Sequence, residues 1–120
     1  MSESPDDLYK NRREHARVDV DLRALLVHDE LHAEDIELLM SNLSLGGCFI
    51  KTAMPEPSGS MVMLRFSLPG DAHAPVVRAV GKVCWTKGGR ESGMGIQFVR
   101  IEDEDLGVLK RYIAGLLSDD

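Results

Sequence analysis

Alternation between apolar and polar residues is the strongest pattern in the chain. From residue 18 to residue 26 every second position is apolar, and the positions between include Asp19, Asp21 and Arg23. This period of two is typical of a β-strand with one buried face. Apolar segments of strand length follow in EDIELLM, GCFIKT, MVMLRFSLP, VVRAVGKVCWTK and MGIQFV. Turn-forming residues separate these segments, so the chain is predicted to form a small all-β barrel or sandwich.

The fifth predicted strand contains the tryptophan of the chain. Alternation from Val77 to Val83 continues to Trp85, which predicts that the indole lies in the core. The alternative is a surface platform on which a planar ligand stacks. Glycines in or beside strands often mark a bulge, a bend or a close approach. Here they are Gly81, Gly93 and Gly95.

The last segment, IEDEDLGVLKRYIAGLLSDD, changes to helical periodicity. Four apolar residues are spaced to share one helix face: Leu106, Leu109, Ile113 and Leu116. Acidic residues 102–105 suit the positive end of a helix dipole. We therefore predict one C-terminal α-helix. Its apolar face is expected to pack over the barrel end, and the alternative is that it binds a partner protein.

Composition narrows the class of protein. The 120 residues suit one domain, and a net charge of −6 argues against a protein that coats nucleic acid. The start, MSESPDDLYK, lacks the apolar region of a signal peptide, and no apolar run approaches the ~20 residues of a membrane span. We expect a cytoplasmic protein without membrane insertion. Cys48 and Cys84 lie in apolar strands and are predicted to be buried thiols, and the histidines and cysteines lack zinc-site spacing.

A basic segment, RREHARV, precedes the first strand. Arg13 and Arg17 are separated by three residues, a spacing that points both side chains the same way on a helix or on an extended arm. Guanidinium groups suit bidentate binding of phosphate or of a guanine edge. The alternative is a solvated tail.

A second segment, SNLSLGG, lies between the second and third predicted strands. Asn42, Ser44 and Gly47 form the pattern N-x-S-x-x-G. Asn and Ser provide short donors and acceptors, while Gly46 and Gly47 allow positive φ and a close backbone approach. Such a turn suits hydrogen bonding to a base edge. The alternative is an ordinary Asx or Ser turn that only reverses the chain.

Together, the R-x-x-x-R arm and the later [D/N]-x-S-x-x-G turn on a small β-barrel resemble the PilZ family of cyclic di-GMP receptors. The segments GKVCW and GMGIQF also resemble the closing strands of that family. The resemblance implies a six-stranded antiparallel β-barrel with a C-terminal helix and a flexible N-terminal arm. It covers residues 11–117, with short tails at 1–10 and 118–120.

The resemblance also implies the roles of individual residues. Arg13 and Arg17 would bind guanine edges and phosphates of cyclic di-GMP, and Arg12 would accompany a stacked ligand dimer. Asn42 and Ser44, with the backbone near two glycines, would hold a guanine base. The full predicted ligand-binding set is Arg12, Arg13, Arg17, Asn42, Ser44, Gly46 and Gly47. No cofactor, metal or catalytic residue is predicted.

The implied function is that of a stand-alone bacterial cyclic di-GMP receptor, a monomer or homodimer. Ligand would order the arm and signal to a partner protein in motility, type IV pilus function or exopolysaccharide production. One alternative is a PilZ-type interaction protein that acts without nucleotide. Another is a hydrolase that uses Ser44 or a cysteine, but NLSLG is not a G-x-S-x-G nucleophile turn and no base stands at recognisable spacing.

Overall fold

The computed structural model describes residues 16–27, 36–69 and 75–118. Its elements are β1 (Val18–Val27), β2 (Ile36–Leu43), β3 (Gly47–Lys51), β4 (Met61–Ser67), β5 (Val76–Lys87), a 3₁₀ turn (Gly89–Glu91), β6 (Gly93–Ile101) and α1 (Asp103–Ser118). The strands pair antiparallel and close a barrel in the order β1-β2-β3-β6-β5-β4. The prediction of a six-stranded antiparallel barrel with a C-terminal helix is confirmed, and the predicted flexible arm, up to residue 15, lies outside the described residues.

The barrel interior holds the apolar residues of the alternating strands. In β1, for example, Leu22, Ala24 and Leu26 are buried while Asp21 and Arg23 are exposed. The largest fully buried side chains come from most of the strands and from the helix: Phe66, Met40, Leu43, Ile50, Leu64, Leu68, Met94, Leu109, Val77 and Val83. One continuous core therefore stabilises the closed sheet.

Helix α1 packs against this barrel. Leu109 and Ile113 are buried and belong to the same core cluster as the strand residues. A hydrogen bond connects the start of the helix to β5: Asp105 Oδ2 accepts from the Arg78 backbone N–H at 3.1 Å. The expected packing of the apolar helix face is thus confirmed for its central residues. No helix in the described ranges has the length and apolarity that a membrane crossing requires.

Irregular pairing between β5 and β6 changes the orientation of one predicted core residue. The register shifts between Val83 and Trp85, which is the mark of a β-bulge. Burial alternates as far as Val83, but Trp85 is 45% exposed. The prediction that Trp85 lies in the core is therefore wrong, because a bulge interrupts the period of two on which it depended.

The predictions for the strand glycines and for Cys48 are confirmed, whereas the prediction for Cys84 is wrong. A Cβ added at any of the three strand glycines would collide with a neighbouring strand or side chain, which confirms the expected close approaches at Gly81, Gly93 and Gly95. Cys48 is buried as predicted. Cys84 is only half-buried, so that part of the prediction is wrong. The described residues contain no cluster of three or more metal-binding side chains.

Candidate ligand-binding cleft

The two predicted motif segments meet at one shallow cleft. The motif segments contribute Arg17, Ser44, Gly46 and Gly47 to its lining, and the rest of β3 with β5 and β6 contributes Cys48, Cys84, Trp85, Gly95, Ile96 and Gln97. The cleft has a cavity volume of about 30 Å³, far below the roughly 300–1,000 Å³ of a typical ligand pocket. A ligand large enough to fill such a pocket must therefore lie across the mouth of this cleft.

Pairing between β1 and β2 brings the motif segments together. Val18, the first residue of β1, lies opposite Leu43, the last residue of β2. The residue before β1 is Arg17 and the residue after β2 is Ser44, so antiparallel pairing places them side by side. The meeting of the two segments is a direct result of strand register.

The turn after β2 is held by Ser44. Its backbone N–H donates to Gly47 O at 2.8 Å. Its Oγ accepts hydrogen bonds from Gly46 N at 3.1 Å and Gly47 N at 3.2 Å, and donates to Gly47 O at 3.3 Å. A hydroxyl has one donor and two acceptor sites, so these three bonds use its full capacity. Ser44, which is only 5% exposed, orients the turn in this structure.

Replacing Ser44 by alanine is expected to lower the free energy of unfolding by about 1–3 kcal/mol, because two part-buried backbone N–H groups lose their acceptor. Urea denaturation followed by circular dichroism measures the change. Ser58→Ala is the matched control, since its hydroxyl makes one hydrogen bond, to Cys84 O, at the exposed surface. Equal effects of the two substitutions would contradict a structural role for Ser44.

Asn42 does not reach the cleft. Strand β2 extends through Leu43, so Asn42 lies within the strand, opposite Asp19 and Phe49, and is not among the residues that line the cleft. The turn is therefore shorter than the predicted SNLSLGG segment. Propensity alone misplaced its start, because Ser and Asn favour turns but here continue the ladder of β2.

Gly47 allows two strands to approach closely. It pairs with Gln97, and an added Cβ would collide with the Ile96 carbonyl oxygen. Gly46 O also accepts a hydrogen bond from Phe98 N at 2.8 Å. Positive φ occurs at Gly59 and Gly89 among the described glycines, so Gly46 and Gly47 do not use the positive φ that glycine allows. Absence of a side chain is what this site requires at Gly47.

Trp85, which lines the cleft, belongs to an aromatic pair. The rings of Trp85 and Phe49 stack with centroids 5.2 Å apart and planes inclined by 24°. Gly95 lies opposite Trp85 in β6, where a Cβ would collide with the indole. Sequence reasoning considered Trp85 as a platform but favoured the core. The sequence signal for the platform was a tryptophan in one strand and a glycine in the next. Only the pairing of β5 with β6 shows that Trp85 and Gly95 lie opposite each other.

The charge at the cleft suits an anion. Arg17 is exposed, and no carboxylate of the residues described lies within ion-pair distance of it. Burial raises the pKa of the Cys48 thiol well above its ordinary value, and the nearby Arg17 charge opposes that rise only in part. The Cys48 thiol is therefore uncharged at pH 7 and adds no charge to the cleft. No carboxylate of the described residues lines the cleft, so among them Arg17 supplies its charge.

Comparison with protein families identifies the fold group. A family model for the PilZ domain matches residues 11–115. The chain belongs to the PilZ domain family. Among curated proteins, none matches the sequence significantly.

Solved PilZ structures share the fold at low sequence identity. The Bacillus subtilis inhibitor of motility, MotI/DgrA, is 24% identical with a TM-score of 0.75, over 90% of this chain and 53% of that protein. The PilZ domain of Escherichia coli YcgR with c-di-GMP is 14% identical with a TM-score of 0.65, over 88% and 92% of the two chains. Borreliella burgdorferi PlzA in complex with c-di-GMP is 19% identical with a TM-score of 0.56, over 93% and 50%. The chain thus spans about half the length of MotI/DgrA and of PlzA.

The predicted ligand-binding residues now divide into three groups. Arg17, Ser44, Gly46 and Gly47 line one cleft of the PilZ barrel. Asn42 lies in β2 beside the turn. Arg12 and Arg13 lie outside the described residues.

Proposed function

We propose that this PilZ domain is a receptor for cyclic di-GMP, which binds across the mouth of the cleft. The observation that carries the proposal is the meeting of Arg17 with the turn at Ser44 in one cleft, whose described lining holds no carboxylate. Structures of the same fold that hold c-di-GMP, from YcgR and PlzA, support the choice of ligand.

The cleft offers three kinds of contact to such a ligand. The guanidinium of Arg17 can bind a phosphate or the O6 and N7 of guanine in bidentate fashion. The exposed indole of Trp85 can stack on a base. Gly46 and Gly47 present backbone without side chains, with Ser44 holding their N–H groups in place. Ser44 therefore acts as a positioning residue in this proposal.

The arm completes the site. Arg12 and Arg13 precede Arg17 closely in the sequence, so a ligand held at Arg17 is within their reach. Micromolar affinity requires about 8 kcal/mol. A hydrogen bond to a charged group contributes about 1.5–3 kcal/mol and a stacked base about 1–3 kcal/mol. Two arginines and one stacked base together contribute about 4–9 kcal/mol, a range that includes this value, whereas no single contact does. Binding would therefore hold the arm against the barrel and change the surface that a partner meets.

Signalling from the bound state would pass to another protein. The fold of the Bacillus subtilis inhibitor of motility makes motility the first process to test, ahead of type IV pili and exopolysaccharide. The proposed activity is binding and requires no catalysis.

Calorimetric titration with cyclic di-GMP tests the proposal. We expect heat of binding and a stoichiometry of one or two ligands per chain. Cyclic di-AMP is the matched control ligand, because it lacks the guanine O6 that an arginine recognises. Absence of heat from folded protein would contradict the receptor function and favour a PilZ domain that acts on its partner without nucleotide.

Fluorescence of Trp85 provides an independent prediction, since the chain has one tryptophan and it lines the cleft. We expect emission to change on addition of cyclic di-GMP, with the affinity found by calorimetry. Trp85→Leu is expected to weaken binding about fivefold or more, because a stacked base contributes about 1–3 kcal/mol. Trp85→Phe, the control, keeps an aromatic face and should retain most of the affinity. Unchanged binding by Trp85→Leu would exclude Trp85 from the site.

A further inference from the structure

A second concave surface lies on the outer face of the barrel. Direct cross-strand neighbours form a row from Val27 through Met63 and Val80 to Arg100, across β1, β4, β5 and β6. This row runs through a groove of about 500 Å³. We call it the β4–β5 groove. None of its lining residues belongs to the cleft described above.

The centre of the β4–β5 groove is apolar and accessible. Met63 is 54% exposed, and Val27 and Val80 on either side of it are half-buried. Met61, two residues earlier in β4, is also exposed. A cluster of accessible apolar side chains on one sheet face is typical of an interaction surface, and methionine adapts its shape to different partners.

The rim of the same groove is basic. Its charged lining consists of three arginines, Arg65, Arg78 and Arg100, and one carboxylate, Glu102, and Lys82 projects from the next outward position of β5. Arg100 forms an ion pair with Glu102 at 3.6 Å, and both side chains are exposed. Such a surface pair contributes little free energy, so an acidic group of a partner can replace Glu102. Since the whole chain carries a net charge of −6, a basic apolar face is a local feature of this surface.

We propose that the β4–β5 groove docks an amphipathic helix of a partner protein, with apolar side chains flanked by Asp and Glu. The apolar side chains would enter the groove over Met63, and the acidic ones would face Arg78 and Arg100. A helix fits better than an added strand, because a closed barrel has no free strand edge to extend.

Charge and shape disfavour the other occupants. Two copies of the same groove facing each other would place their arginines together, which repels. An anionic membrane or nucleic acid is larger than the groove and would also face the acidic remainder of the chain, whereas a single helix contacts the groove alone. The groove is also concave and lined by Met and Val, whereas interfacial membrane anchors favour protruding aromatic side chains. The proposal does not depend on cyclic di-GMP, so a negative ligand titration leaves it standing.

Fluorescence anisotropy with two synthetic helical peptides tests the groove. One peptide carries leucines at helical spacing flanked by glutamates, and the other has lysines in place of the glutamates. We expect the acidic peptide to bind and the lysine peptide not to bind. Met63→Glu and Arg78→Glu should each weaken binding of the acidic peptide about tenfold or more, through like charge and a lost apolar contact.

Two control variants match these substitutions outside the groove. Met54→Glu adds the same charge at another exposed methionine, and Arg90→Glu reverses a charge in the 3₁₀ turn. Both should bind as the unmodified protein does. Failure of the acidic peptide to bind, or equal weakening by the controls, overturns the proposal. Binding to phosphatidylglycerol-containing vesicles that Met63→Glu abolishes would identify a membrane surface and also overturn it.

Discussion

The double variant Arg13→Ala/Arg17→Ala is expected to lose calorimetrically measurable binding of cyclic di-GMP. Each guanidinium is proposed to make charge-assisted hydrogen bonds worth about 1.5–3 kcal/mol. Removal of both corresponds to a loss of about 100-fold or more in affinity. Arg17→Ala alone should weaken binding about tenfold or more. No carboxylate of the described residues forms an ion pair with Arg17, so its charge is available to a ligand at the cleft.

The matched control is Arg90→Ala/Arg111→Ala, which removes the same net charge from exposed positions outside the cleft. We expect its affinity for cyclic di-GMP to stay within about twofold of the unmodified protein, since exposed charges at a distance are screened by salt. Circular dichroism should show both double variants folded. Equal affinity of the arginine-arm variant and the unmodified protein would remove these residues from the site.

Leu109→Ala is expected to lower the free energy of unfolding by about 2–5 kcal/mol, because a large buried side chain leaves a cavity. Leu109 is 0% exposed and belongs to the core cluster of the barrel. For a domain of this size, such a loss is a large part of the total stability. Urea denaturation followed by circular dichroism measures it.

Leu117→Ala is the control for the helix, since this leucine is 52% exposed near the end of α1. Its effect should stay within about 0.5 kcal/mol. If both substitutions had similarly small effects, α1 would contribute little to the barrel core. The contrast therefore separates helix packing from helix propensity.

Much of the fold could be predicted from local patterns. A period of two reports which face of a strand is buried, and a period near 3.6 does the same for the helix, because both follow from backbone geometry alone. The strand segments and the buried positions Leu109 and Ile113 were found in this way. The bulge before Trp85 was not, because it depends on the register of β5 against β6.

The candidate site was predictable in its residue types and only partly in its geometry. The resemblance to the PilZ family predicted one site containing Arg17 and Ser44, and the structure places these two residues side by side. The sequence left open whether the Ser44 hydroxyl binds a ligand or its own turn, and it did not show that Asn42 remains in β2. Residue types alone do not specify hydrogen-bond partners, because one side chain can bond to its own turn or to another group.

By itself, the sequence determined the strands, the helix and the two polar segments, because each depends on neighbours along the chain. Only the tertiary structure shows that those segments combine to form one cleft. Pairing of Val18 with Leu43 places Arg17 beside the Ser44 turn, and pairing of β5 with β6 exposes Trp85 at the same cleft. The β4–β5 groove also exists only because barrel closure aligns residues from four strands. The physical reason is that strand register joins residues that are distant in the chain, and register is set by the whole core.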